Sequence, residues 1–225
     1  MLTALSCLDS VRANTHSHYG GHMELQVAEW TEKKLKIVET IIKKIAQLGF
    51  ENVTTAKIAR EAGVGEGTIY RHFQSKDELI DVAAEYAAQA ITKNILENYS
   101  SDSPVKEQFT GFCSDFLASG QKNQSSHAYL HQYMNSPQGL AYRKVMFQKM
   151  GEDPSSARPL FYPLNEIIAQ AREEGILKEM PLQILALMTI STLVFVVNDS
   201  ALGLVKVDEK VASSIGIACW DAVKK

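Results

Sequence analysis

From about Glu29 onward the apolar residues recur every three or four positions, and no stretch sustains the every-second-residue alternation of a half-buried strand. Leu35, Val38, Ile42 and Ile45 step along one face, with Lys33, Lys34, Lys36, Lys43 and Lys44 set between them. That spacing predicts an amphipathic helix with a basic outer face, stopped at Gly49. Thr54 or Thr55 can cap a second, short helix, TAKIAREA, which turns Ile58 and Ala59 inward and ends at Gly63. A third short helix is predicted over 66–73. Ser75 with Glu78 three residues on forms an S-x-x-E capping box for a longer helix to about Tyr99, with Leu79, Ala83, Tyr86 and Ala90 on one face. Further helices are predicted near 105–120, 125–135, 138–150, 157–174, 181–203 and 208–223, separated at Pro137, Gly151–Pro154, Gly175, Pro181 and Gly203. The only strand-like piece, LVFVVN, lies inside a helix-length apolar segment, so the fold expected is all-α.

Composition narrows the class without changing this picture. The 225 residues, 45% hydrophobic and 22% charged, suffice for one large domain or two small ones, and 13 Gly with 6 Pro exclude collagen-like and low-complexity chains. Cys7, Cys113 and Cys219 are too far apart for a CxxC motif and too few for a disulfide scaffold, which favours a reducing compartment. The opening MLTALSCLDSVR has no basic n-region, so it does not read as a signal peptide, and a cytoplasmic location is expected. Leu182 to Val197 is the most apolar stretch, but Gln183, Thr189, Ser191 and Thr192 interrupt it short of the ~18 apolar residues of a membrane span. A buried helix, with no membrane contact, is the expectation there. Residues 1–27 show little periodicity and carry His16, His18 and His22. A loose metal site would lack preorganised further ligands, so this stretch reads as a disordered leader.

A supporting helix, a short helix, a turn on A-G-V-G and a second short helix have the spacing of a helix-turn-helix. Ala59 is small where the helices approach, Gly63 can take the positive φ of the turn, and Val64, Ile69 and Phe73 can wedge the second helix onto the core. Its outer face then shows Glu66, Thr68, Tyr70, Arg71 and His72, groups suited to base edges and phosphates in a major groove. The run FENVTTAKIAREAGVGEGTIYRHFQSKDEL, Phe50 to Leu79, resembles the DNA-binding region of the TetR/AcrR family of transcriptional regulators. The combination AGVGxGTIYRHFxSKxxL is specific to that pattern. The resemblance implies that Thr55 meets the DNA backbone and that Glu66, Gly67, Thr68, Tyr70 and His72 face the groove. It also implies that Lys76, opening the next helix, grips a phosphate. Two positions depart from the pattern. Gly65 stands where relatives often carry a capping Ser, and Glu66 is acidic where many are basic or neutral. Near phosphates its carboxylate must accept from a cytosine amino group, cap the helix start, or point away. The expected division is 28–75 as the DNA-binding domain and 76–225 as a helical regulatory and dimerisation domain.

Charge adds little. Residues 28–80 hold nine Lys/Arg against eight Asp/Glu, and 81–225 hold thirteen against sixteen, which excludes a polycationic DNA coat and favours a small footprint duplicated by dimerisation. In the family the second domain dimerises through its last two helices and encloses a ligand cavity. Here Leu182 to Leu204 is apolar nearly all round, and Val211, Ile215, Ala218 and Ala222 follow at helical spacing, so a second copy across a two-fold axis would cover 181–223. The candidate effector-pocket residues are Phe109, Phe112, Phe116, Tyr129, Tyr133, Met134, Phe147, Phe161, Phe195 and Asn198, against the alternative of plain core. His127 and His131, at i and i+4, could hold a metal but have no companion ligands at matching spacing, so no metal or other cofactor is expected. Asp199 ends the apolar run and would meet a cationic ligand or exit to solvent. Cys113 and Cys219 read as small apolar residues in preference to oxidant sensors. No GxSxG, Walker loop, HExxH or dinucleotide fingerprint occurs, so no enzyme is expected. The sequence reading is a ligand-responsive repressor of a palindromic operator. The alternative is a non-inducible chromosome organiser acting through a protein partner.

Overall fold

The periodic apolar positions are realised as helices in a computed structural model, which describes residues 27–152 and 162–225, without the side chains of 145–152 and 162. His16, His18, His22, Phe161 and the Phe147 side chain lie outside the described residues, as does all but the end of the expected leader. The described helices are α1 (Glu32–Leu48), α2 (Thr55–Ala62), α3 (Glu66–His72), α4 (Lys76–Leu96) and α5 (Val105–Lys122). They continue with α6 (Gln124–Met134), α7 (Pro137–Glu152), α8 (Tyr162–Glu173), α9 (Leu182–Ala201) and α10 (Glu209–Val223). Among the described residues there is no strand. An isolated antiparallel bridge between Leu177 and Lys224 ties the chain end to the turn after α8.

The helix starts follow capping chemistry. The Thr31 hydroxyl accepts the Lys34 amide at 3.2 Å, Thr54 rather than Thr55 accepts that of Lys57 at 3.2 Å, and Asp208 accepts that of Val211 at 2.9 Å. Ser75 accepts the Glu78 amide at 3.0 Å, but the Glu78 carboxylate reaches one residue further out than a capping box requires and takes the Gln74 amide. α2 ends in a Schellman turn: Gly63, at φ 68°, bonds Arg60 and the next amide, Val64, bonds the Ala59 carbonyl at 2.9 Å. That left-handed residue turns the chain sharply enough to lay α3 across α2.

Two layers result. In the first, α1 is packed by α2, α4 and α6, so its buried arc is wider than one stripe. Ile37 and Ile41 join Val38, Ile42 and Ile45 in the interior, while Leu35 is only half-buried. In the second, α5 is the central post, packed by α10, α9, α4 and α8, and it buries Phe109, Phe112, Cys113, Phe116 and Leu117. Close approach to α5 depends on two absent side chains. A Cβ at Gly120 would stand 2.7 Å from a Val197 methyl, and one at Gly216 would stand 3.2 Å from the Thr110 carbonyl. α6 spans the two layers, packing on α1 and α4 on one side and on α9 on the other.

α9 corrects one expectation. It is continuous over 20 residues and, despite its polar interruptions, is long and apolar enough to cross a membrane by length and composition alone. It is a bundle helix covered on one face only. Leu185, Ala186, Thr189, Ile190, Leu193 and Val197 are buried, while Ile184, Met188 and Phe195 are exposed on the other side.

Candidate nucleic-acid interface

The turn at Gly63 places α3 so that its single buried residue, Ile69, and the following Phe73 anchor it to the core. Glu66, Gly67, Tyr70 and Arg71 are exposed, and Thr68 and His72 are half-buried. Each exposed residue type thus faces outward on one short helix, as groove reading requires. Gly67 has no atom within 4 Å of where a Cβ would stand, so its backbone is open to close approach. Gly65 caps the helix with no side-chain hydrogen bond, the weakness expected from the missing Ser.

The polar groups of this face are bonded to one another. The Thr55 hydroxyl, at the first position of α2, donates to Glu66 Oε1 at 2.5 Å, and the Tyr70 hydroxyl donates to Thr55 Oγ1 at 3.5 Å. Glu66 therefore does not cap its own helix, and it does not simply point away. Arg71 Nη2 donates to Thr68 Oγ1 at 3.0 Å, in place of the ion pair with Glu66 or Asp77 that its sequence neighbours offer. Tyr70 is 53% exposed and not a core residue. Lys76, the first residue of α4, is half-buried beside the Ser75 cap, at the positive end of a 21-residue helix.

The basic face of α1 contributes more to this surface than sequence position suggests. Lys34 Nζ lies 4.6 Å from the Trp30 ring and 5.6 Å from the ring of Phe73, which immediately follows α3. Burial pushes the His72 imidazole below its usual range, and Lys34, Arg71 and Lys33 press in the same direction. The clustering of these cations around one histidine marks where a polyanion would be attracted. The signal in the sequence was only a run of lysines; their convergence on α3 depends on the helix crossing.

In the bundle, the candidate pocket residues separate into three groups. Phe109, Phe112 and Phe116 are closed core, Phe109 edge-on to Trp220 at 5.3 Å. Tyr129 and Tyr133 face the first layer: the Tyr129 hydroxyl donates to the Ile80 carbonyl and that of Tyr133 to Asp81 Oδ1, both at 2.8 Å. Gln132 on the same helix donates to the Ala46 carbonyl at 3.3 Å, and Met134 packs partly buried on the core. Phe195 is 59% exposed, with His131 edge-on at 5.7 Å, and the Asn198 amide donates to the Val194 carbonyl. A cleft of about 220 Å³ opens instead at the α5, α6 and α9 ends, lined by Leu117, Gln121, Gln124, Val197 and Ser200 among others.

The paired histidines do not converge. His127 is buried, bonded through Nε2 to Ser119 Oγ at 2.8 Å and edge-on to Phe116, whereas His131 meets Phe195. Among the described residues no three His, Cys, Asp or Glu side chains group as metal ligands. Cys113 on α5 and Cys219 on α10 are both buried, and their thiols influence each other. The neighbouring thiol and burial push Cys113 well up, while Cys113 draws Cys219 down. Asp199 is half-buried at the end of α9.

Comparison with known proteins follows the two layers. The model for bacterial regulatory proteins of the tetR family matches residues 37–83, and the model for the tetracyclin repressor-like C-terminal domain matches residues 104–224. The chain is 24% identical over 182 residues to an HTH-type transcriptional regulator of Haemophilus influenzae, spanning 80% of this chain and 90% of that one. It is 35% identical over 74 residues to the nucleoid occlusion factor SlmA of Edwardsiella ictaluri, a match to 31% of this chain and 37% of that protein. A solved TetR-family protein from Vibrio parahaemolyticus shares the fold with a TM-score of 0.68 at 24% identity, over 86% of this chain and 100% of that one. With both layers matched, the chain belongs to the TetR family of DNA-binding transcriptional regulators, whose members are not enzymes.

Proposed function

We propose that this regulator is a cytoplasmic repressor that binds a palindromic operator as a homodimer and leaves it when a small apolar or amphipathic effector occupies the helical bundle. Thr55, Glu66, Gly67, Thr68, Tyr70, Arg71, His72 and Lys76 form the DNA surface. The exposed stripe Ile184, Met188 and Phe195 on α9, with Val211 and Ile217 on α10, supplies an apolar face that a second copy would cover. Two recognition helices held about 34–36 Å apart then read successive major grooves.

The observation that carries the effector response is the position of α6. Tyr129, Tyr133 and Gln132 bond α4 and α1, while the other side of the same helix packs on α9. A ligand that binds one arrangement of α6 better than another shifts the population of DNA-competent dimers by that difference in affinity. The candidate lining residues remain Phe109, Phe112, Phe116, Tyr129, Tyr133, Met134, Phe147, Phe161, Phe195 and Asn198. The cleft of about 220 Å³ is smaller than the ~300 Å³ at which drug-sized ligand pockets begin, so an effector of that size requires α6 to move.

The closed aromatic core of α5 favours a second reading, a non-inducible chromosome organiser working through a protein partner, a role that parallels the name of the relative SlmA, a nucleoid occlusion factor. Genomic-fragment selection with the purified protein separates them. A pseudo-palindrome beside one promoter supports the repressor. Dispersed sites without a linked promoter refute it and support the organiser.

A further inference from the structure

Glu66 and Tyr70 are exposed and Thr55 is half-buried, and in the free protein the three are linked through the Thr55 hydroxyl. Tyr70 donates to Thr55 at 3.5 Å, and Thr55 donates to Glu66 at 2.5 Å. A threonine hydroxyl has one proton. While Glu66 holds it, Thr55 presents only lone pairs outward, and a phosphate oxygen, itself acceptor-only, gains nothing from them. The Tyr70 hydroxyl, 3.5 Å from Thr55 Oγ1, is held far more loosely. A carboxylate and a phosphate cannot share the hydroxyl, because both are anions and both need the same proton.

We propose that Glu66 is a specificity gate, holding the Thr55 hydroxyl off the DNA backbone until the N4 amino group of a cytosine in the major groove takes its carboxylate. This rests on the reading of α3 as the groove-reading helix. Phosphate contacts ordinarily fix register and carry no sequence information. Here the gate makes them conditional on a base: at the correct site, amino group to carboxylate and hydroxyl to phosphate form together. Elsewhere the phosphates must displace a charge-assisted hydrogen bond, and the carboxylate stays close enough to repel them. The acidic residue at a DNA-facing position thereby penalises wrong sequence more than right sequence.

The test uses the full chain as wild type, Glu66→Ala, Thr55→Val and the double variant. The probes are two duplexes, one enriched by the wild type from a random pool and a scramble of it. Circular dichroism confirms that each variant is folded. Glu66→Ala is expected to raise affinity for the scramble about tenfold and to narrow the preference for the enriched duplex. In the Thr55→Val background the same change is expected to move scramble affinity less than about threefold, since no gate is left to open. An equal gain with and without Thr55 overturns the gate, because the carboxylate then acts by repulsion alone; no gain in either background overturns it as well. If the wild type enriches no duplex, the groove-reading assignment itself fails and takes the gate with it.

Discussion

His127 offers the cleanest link between a side chain's surroundings and a bulk property. It is 5% exposed, and burial lowers its pKa to about 4 from the usual 6.5. Its contact with Ser119 fixes the tautomer. Ser119 Oγ donates to the Phe116 carbonyl at 2.7 Å, so at 2.8 Å from His127 it must be the acceptor, and the proton sits on Nε2. Among the described residues no negative charge compensates a proton on Nδ1. The native state therefore binds fewer protons than the unfolded chain between pH 6.5 and about 4, and stability falls as the pH falls through that window. Full protonation costs about 3 kcal/mol, of which about 2 kcal/mol is lost by pH 5. Urea unfolding of wild type and His127→Gln at pH 7.5 and pH 5 measures it, since glutamine keeps a neutral donor for Ser119 without titrating. Carboxylates contribute equally to both proteins, so the wild type should lose about 2 kcal/mol more than the variant. Identical losses would refute the buried neutral histidine.

Other outcomes follow from single contacts. Gly65→Ser places a hydroxyl at an N-cap whose φ of −72° suits any residue and whose nearest Cβ neighbour is Thr68 Oγ1 at 4.0 Å, so thermal denaturation should show about 0.5–1 kcal/mol of added stability. Tyr133→Phe removes the bond to Asp81, and urea titration should show a loss of about 1–2 kcal/mol; no loss would mean that this junction bond contributes nothing to the fold. Phe195→Glu changes an exposed residue, so by sedimentation equilibrium it should leave a folded monomer under conditions where the proposed wild-type dimer forms; undiminished association would remove α9 from the interface.

How much of this was legible in the sequence depends on whether a property is local. The turn at Gly63 and the helix around Ile69 were readable because a left-handed C′ residue and a buried anchor four residues into a seven-residue helix leave little freedom. The helix ends were readable to within a few residues for the same reason, since caps are short-range chemistry. What was not legible is where a side chain's polar tip goes once helices cross. Glu66 had three sequence-level alternatives, and the partner it takes, Thr55, stands eleven positions away on another helix. Tyr129 and Tyr133 carried the pattern of pocket aromatics, but their hydroxyls are spent on Ile80 and Asp81. Periodicity reports which face a ring lies on and says nothing of what its hydroxyl reaches.

Those two tyrosines also bear on how a regulator of this size can transmit a signal. Their rings stack on each other with centroids 6.4 Å apart, and Tyr129 meets Phe50, in the turn after α1, at 5.9 Å. A shift of α6 therefore acts on α4 through two hydroxyl bonds and on the end of α1 through an aromatic contact and Gln132. α4 begins at Lys76 after the Ser75 cap, directly after the residues that anchor α3, so a movement along it changes where α3 stands. The core between α6 and α5 is close-packed around Phe116 and His127, and such interiors switch between discrete arrangements more readily than they deform. Protonation of His127 and entry of an effector would thus disturb the same joint, one by placing an uncompensated charge beside Phe116 and the other by prising α6 from its neighbours. DNA affinity measured across pH 7.5 to pH 5 should then fall more steeply in the wild type than in His127→Gln. An equal fall in both would separate the buried histidine from the DNA-binding layer and leave its effect on stability alone.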